Sequence, residues 1–224
     1  MMRWRVGAGS PSAVSTQVSA PPAACPVTVR RPVKSPGGRR RRAGEGIVET
    51  ERLVMRRWRE TDLEPFAELN ADPEVMRHFP APLTREESDA MVGRIEAAFD
   101  EHGYGLWALE VRATGEFIGF TGLAWQRFEA HFTPALEVGW RLSRRAWGHG
   151  YATEAARAAL EYGFGPAGRR EIVSMTAVGN LRSRAVMERL GMRRDPADDF
   201  DHPRVPAGSP LRRHVLYRIG RDPL

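Results

Sequence analysis

One cysteine, one lysine and no long apolar run occur in the 224 residues of this chain. Each scarcity closes off a class of function. Cys25 stands alone, so no intramolecular disulfide can form, and no cysteine beyond it is available as a nucleophile or metal ligand. A reducing, cytoplasmic setting is expected. Lys34 is the single lysine, which excludes a nucleoside-triphosphate loop with its Gly-Lys-Ser/Thr ending from everything that follows it. Apolar runs stay far below the roughly 18 residues of a membrane span. The six histidines (His78, His102, His131, His149, His202, His214) show no His-x-x-x-His pairing. Neither a membrane segment nor a metal site is expected.

The formal charge of +6 and the pI near 10.3 would suggest a nucleic-acid binder, but the charge is unevenly distributed. Residues 1–46 carry eight arginines and one lysine against Glu45 alone, giving +8, whereas residues 47–224 carry 25 arginines against 27 acids, giving −2. The first segment is rich in Pro, Ala, Ser and Gly and cannot bury enough surface to offset the entropy of ordering. It is expected to be a disordered basic extension. Its composition is transit-peptide-like without the apolar core of a secretory signal, and a wrongly chosen start codon is the plainer explanation. Arg39–Arg42 would give only salt-sensitive, non-specific attraction to nucleic acid. Residues 47–224 suit one domain.

Periodicity places the elements of that domain. A first strand is expected within Thr50–Trp58, a capping box Thr61-x-x-Glu64 opens a helix to about Asn70, and Asp72-Pro73 opens a short turn to His78. A second box, Thr84-x-x-Glu87, starts a helix with Met91, Ile95, Ala98 and Phe99 on one face and Gly103 as its stop. Strands at Tyr104–Val111 and Glu116–Trp125 follow, joined by a hairpin signal, and Ala135–Leu142 is the fourth strand. Helix 151–163, a fifth strand at 171–178, helix 181–190, a short strand near 192–195 and a last strand at His214–Ile219 complete an α/β fold with a mixed sheet. The loop Asp195–Leu211 is too long for a plain connection and is expected to shape a site.

The segment Arg145-Ala-Trp-Gly148-His149-Gly150-Tyr-Ala152 lies between the fourth strand and an alanine-rich helix. A strand that ends in a glycine turn and then a helix leaves backbone N–H groups unpaired at the positive end of the helix dipole, where phosphate binds. A dinucleotide fingerprint is excluded because Thr153 stands at the third glycine position. What remains is Arg-x-x-Gly-x-Gly/Ala. That pattern resembles the acetyl-coenzyme A loop of the GNAT superfamily of N-acetyltransferases. Its flanks, Glu137-Val-Gly-Trp-Arg-Leu142 and Tyr151-Ala-Thr-Glu-Ala155, resemble the RimJ/RimL branch. Asn180-x-x-Ser183-x-x-Val186, following the fifth strand, resembles the family helix that lines the pantetheine arm, and Asn180 also suits a helix N-cap.

The resemblance covers about residues 47–221. It implies a GNAT-type sheet, flanked by helices and splayed between the fourth and fifth strands, with acetyl-CoA as co-substrate and no metal. The cofactor residues it implies are Trp140, Leu142, Arg145, Gly148, His149, Gly150, Ala152, Asn180 and Ser183, with the backbone around Trp140–Leu142 on the thioester carbonyl. The reaction is acetyl transfer to a primary amine, on a protein N-terminus or a small molecule, by direct attack in a ternary complex. Glu137 is the expected base, since alternation places its side chain with Gly139 and Arg141 on the acceptor side, although a strand-end glutamate paired with Arg141 is the plainer role. His131, Asp199, Asp201 and water are rivals. Many relatives use a tyrosine on the helix after Asn180 to protonate the thiolate. Met187 and Glu188 stand in that region here, which leaves Ser183 as the nearest hydroxyl. Asp198, Asp199 and Asp201 would favour a cationic amine, with Asp199 and Asp201 as the acceptor-binding pair. A non-catalytic acyl-coenzyme A-binding module is the alternative from another class. A homodimer is compatible with the resemblance.

Overall fold

The computed structural model describes residues 47–221 together with the two-residue strand β1 (Thr28–Val29). β1 pairs antiparallel with β2 (Val48–Glu49). The rest of the basic extension expected at 1–46 lies outside the described residues.

Alternating apolar residues in β3 (Leu53–Arg56), β4 (Leu106–Val111), β5 (Phe117–Gln126) and β6 (Ala135–Leu142) form successive antiparallel partners. β7 (Glu171–Ala177) follows β6 in the sheet, and β10 (Arg213–Gly220) lies antiparallel beside β7. The short strands β8 (Arg193–Arg194) and β9 (Phe200–Asp201) each pair with β10. β9 lies inside the long loop, where too short an apolar signal exists to reveal a strand.

The pairing between β6 and β7 sets this sheet apart. It is parallel, as a connection through the crossover helix α3 (Tyr151–Phe164) requires, and it consists of one pair of residues, Glu137 and Val173. Beyond that pair the strands diverge, so the edge of β6 that faces β7 has no ladder partner for its N–H and C=O groups. The expected splay is therefore present, with Glu137 at its vertex.

Helices hold the wedge open. α3 lays Ala155, Ala156, Ala158 and Ala159, all buried, against β5 and β6, where small side chains permit close approach. α1 (Leu63–Ala71) and α2 (Arg85–His102) pack against each other, and α1 also against β5. The box at Thr84 forms as expected, with Thr84 Oγ1 accepting from the Glu87 N–H and Glu87 from the Thr84 N–H, and Gly103 ends α2 at φ 77°. Val92 replaces Ala98 in the buried face, because the stripe drifts around the helix. The first box does not form. Asp62 instead accepts from the Arg59 N–H and binds the buried Arg56 guanidinium through both oxygens, so a short 3-10 turn (Glu60–Asp62) precedes α1. α4 (Leu181–Arg189) follows β7 and buries Met187.

Candidate active site

The divergence of β6 from β7 opens a cleft of about 2250 Å³ at the carboxyl ends of the two parallel strands. A single small ligand fills roughly 300–1,000 Å³, so the cleft has room for two substrates side by side. The amino ends of α3 and α4 both border it.

The strand β6 ends in a 3-10 turn (Arg144–Ala146), and Gly148 and Gly150 then adopt φ of 81° each, a left-handed conformation that strains any residue with a Cβ. A Cβ on Gly148 would meet nothing within 4 Å, so the backbone there faces open space. Gly150 is the N-cap of α3 and supplies no side-chain acceptor; the first intrahelical bond is Glu154 N–H to Gly150 C=O. The N–H groups of residues 151–153 therefore have no acceptor within the helix. The residues present fit an extended ligand with a pyrophosphate at this loop, as coenzyme A would be.

The loop is braced from the turn between β2 and β3, which the sequence alone did not reveal. Arg52 donates from Nη1 to the His149 carbonyl at 2.9 Å and from Nε to Glu154 at 2.7 Å, while Thr50 Oγ1 and the Arg52 N–H donate to the other oxygen of Glu154 at 2.6 and 2.8 Å. Burial pushes the Glu154 carboxyl up, but these bonds and the Arg52 charge outweigh it and hold the group below its ordinary range.

Most of the expected cofactor residues meet in the cleft. Trp140, Leu142, Gly148 and Gly150 line one wall, with Ala152 at the helix start. Asn180 and Ser183 line the other. Asn180 caps α4, accepting from the Ser183 N–H at 3.2 Å and donating to Thr176 Oγ1 at 2.9 Å and Ser183 Oγ at 3.1 Å. Arg145 and His149 do not line it. The Arg145 side chain turns out to Glu116 at 2.7 Å, because the 3-10 turn directs it away from the wedge, and His149 is exposed and stacks beside Tyr151.

Glu137 sits at the closed end of the cleft. It accepts from Gln126 Nε2 at 2.6 Å and from the Met175 N–H, and among the described residues no arginine pairs with it. The alternative role as the partner of Arg141 is not what the structure shows, since Arg141 reaches Asn70 instead. Loss of hydration pushes the Glu137 carboxyl up to about 7, against the opposing pull of the Met175 and Gln126 bonds. A carboxylate with that affinity for protons is matched to proton transfer at neutral pH.

The remaining candidates lie elsewhere. Asp199 is clamped by Arg194, and Asp201 lies beside Arg212 and Arg213 at 3.4 and 3.5 Å. Neither lines the cleft; each faces arginines nearby in the chain, so the structure does not bring this pair to the acceptor side as expected. Asp198 is likewise held by Arg218 at 2.7 Å and His131 at 3.2 Å, which removes His131 from the site. The long loop does shape the cleft, through His202, Arg204 and Val205. Met187 is buried in the core, and Glu188 accepts from the Tyr217 hydroxyl at 2.9 Å.

Residues 52–193 match the family described as Acetyltransferase (GNAT) domain. The chain belongs to the GNAT acetyltransferase family. This acetyltransferase is 33% identical over 144 residues to the YkkB protein of Bacillus subtilis strain 168, covering 64% of this chain and 83% of that one. It is 35% identical over 131 residues to the FsC-acetyl coenzyme A-N(2)-transacetylase of Aspergillus fumigatus, a match that spans 55% of each chain. The crystal structure of RimL, the ribosomal L7/L12 alpha-N-protein acetyltransferase, in complex with coenzyme A superposes with a TM-score of 0.61 at 17% identity, covering 77% of this chain and 96% of that one. At that identity the likeness is one of fold. Among the described residues no cluster suited to a metal occurs, and no helix is long and apolar enough to cross a membrane.

Proposed function

We propose that this GNAT enzyme moves an acetyl group from acetyl-CoA to a primary amine by direct transfer, with both substrates in the cleft at once and Glu137 as general base. When bound, the acetyl thioester supplies an activated acyl carbon. Gly148, Gly150 and the free N–H groups of α3 would hold its pyrophosphate, and Trp140, Leu142, Asn180 and Ser183 would line its arm. The unpaired edge of β6 around Trp140–Leu142 offers backbone N–H groups to a carbonyl oxygen whose charge grows during attack. Glu137, directly or through one water, takes the proton from the attacking nitrogen. Ser183 is the hydroxyl nearest the leaving sulfur in this reading. A reducing, cytoplasmic setting belongs to the same proposal.

The observation that carries the reading is the position of Glu137: a carboxyl of raised proton affinity, at the vertex where β6 and β7 part. The test uses purified full-length protein, acetyl-CoA and a panel of polyamines, aminoglycosides, amino acids, dipeptides and N-terminal peptides, following release of free thiol. Amine-dependent release is expected. Tight coenzyme A binding with no turnover on the whole panel would favour a non-catalytic acyl-coenzyme A-binding module.

A further inference from the structure

The acceptor side of the cleft holds a half-buried cation that no carboxylate answers among the described residues. Arg141 leaves β6 on the same face as Glu137, and its guanidinium lies over the rings of Phe79 and Phe120, 4.1 and 5.6 Å from their centroids. Nη1 donates to Asn70 Oδ1 at 2.6 Å, while Nε is buried without an acceptor. Among the described residues no aspartate or glutamate pairs with it. Arg56 is held by Asp62 and Glu110, and Arg57 by Glu96 and Asp100. Arg169 and Arg184 also bury an Nε without an acceptor, but of these three arginines Arg141 alone lines the cleft. Burial lowers the proton affinity of Arg141 to about 10, which still leaves it charged at neutral pH.

A desolvated, unpaired charge is costly to keep, and the cost is recovered when an anion of matching shape enters. A guanidinium fits a carboxylate through two parallel hydrogen bonds. His202, His214 and Arg204 also line the cleft, with burial holding both histidines below their usual proton affinity.

We infer that the acceptor is an amine that also carries a carboxylate, and that Arg141 receives this carboxylate while the amine lies toward Glu137. The inference rests on the reading of the cleft as an acetyl-transfer site. Glu137 and Arg141 stand four residues apart on one strand, about 13 Å between Cα atoms at 3.3 Å per residue. That separation places the carboxylate several bonds from the reacting amine, as in a dipeptide or an ω-amino acid.

The experiment compares kcat/KM for dipeptides and their C-terminal amides, with wild-type protein, Arg141→Gln and Arg141→Lys. Wild type is expected to favour the free acid by roughly tenfold to hundredfold, the range of a hydrogen bond to a charged group. Arg141→Gln should erase that preference through the acceptor KM, with the acetyl-CoA KM little changed, and Arg141→Lys, which keeps the charge and guards against a folding artefact, should restore part of it. Equal rates for acid and amide in wild type would overturn the inference. So would a loss confined to the acetyl-CoA KM, which would assign Arg141 to a phosphate of the cofactor. Calorimetry of N-acetyl dipeptides and their amides in the presence of coenzyme A reads the same preference without chemistry. Preference for the acid there, without turnover of any amine, would sink the transfer and keep the carboxylate site; no preference would sink the site.

Discussion

A carboxylate is useful as a base only where its proton affinity approaches the working pH, and Glu137 reaches that range by losing water rather than by facing another acid. Two consequences follow for this residue. First, kcat/KM should fall on the acid side of about pH 7, and Glu137→Gln should lose roughly 10²–10⁴-fold in rate with little change in coenzyme A affinity. Wild-type kcat/KM with an unaltered acidic limb would remove Glu137 from the mechanism. Second, the raised proton affinity is a stability cost of fixed sign. The folded state holds this proton more tightly than the unfolded chain, so its stabilising contribution is complete below the ordinary glutamate range and lost as pH rises through about 7. Relative to wild type, Glu137→Gln should therefore gain Tm at pH 8 compared with pH 5, as scanning calorimetry would record; an equal difference at both pH values contradicts the burial argument. Glu137 was legible in the sequence because it opens a strand. Its surroundings were not, because Gln126 and the Met175 N–H arrive from two other strands. The same reason hid Arg141, whose partners Asn70 and Phe79 lie more than sixty residues away along the chain.

At the scale of elements, the loop and α3 act as one unit. The Gly-x-Gly spacing was legible because it encodes a backbone shape, and the left-handed φ at Gly148 and Gly150 realises it. Gly150→Asp adds strain, bulk and negative charge where the anion would sit, and calorimetry should show coenzyme A binding lost while the fold persists. Unchanged affinity would refute the assignment of the loop. The brace from the turn between β2 and β3 was not legible, since Arg52 and Glu154 are 102 residues apart. Removing its acceptor leaves the Arg52 and Thr50 donors without their shared partner. Glu154→Ala should cost about 1–3 kcal/mol in urea denaturation and weaken coenzyme A binding through the loop it braces. An unchanged midpoint would show that the brace is ornamental. Charge pairs also explain why Asp199 and Asp201 misled: a run of acids reads as a free negative patch until the arginines that fold against it are located.

For the whole molecule, the decisive property is that β6 and β7 touch at one residue pair and then part, leaving a cleft large enough for two substrates. The order of strands and helices was legible because apolar periodicity survives in each element. The splay was not, because no local pattern tells one strand to leave another; it entered only through the resemblance of the loop and the Asn180 helix to the family. If both substrates occupy the cleft together, no acetylated enzyme is required. The most direct test is an initial-rate matrix of acetyl-CoA against an active amine. Direct transfer in a ternary complex predicts reciprocal plots that intersect and no acetyl group on the protein by mass spectrometry after incubation with acetyl-CoA alone. Parallel plots accompanied by a stoichiometric acetyl-enzyme would contradict the account.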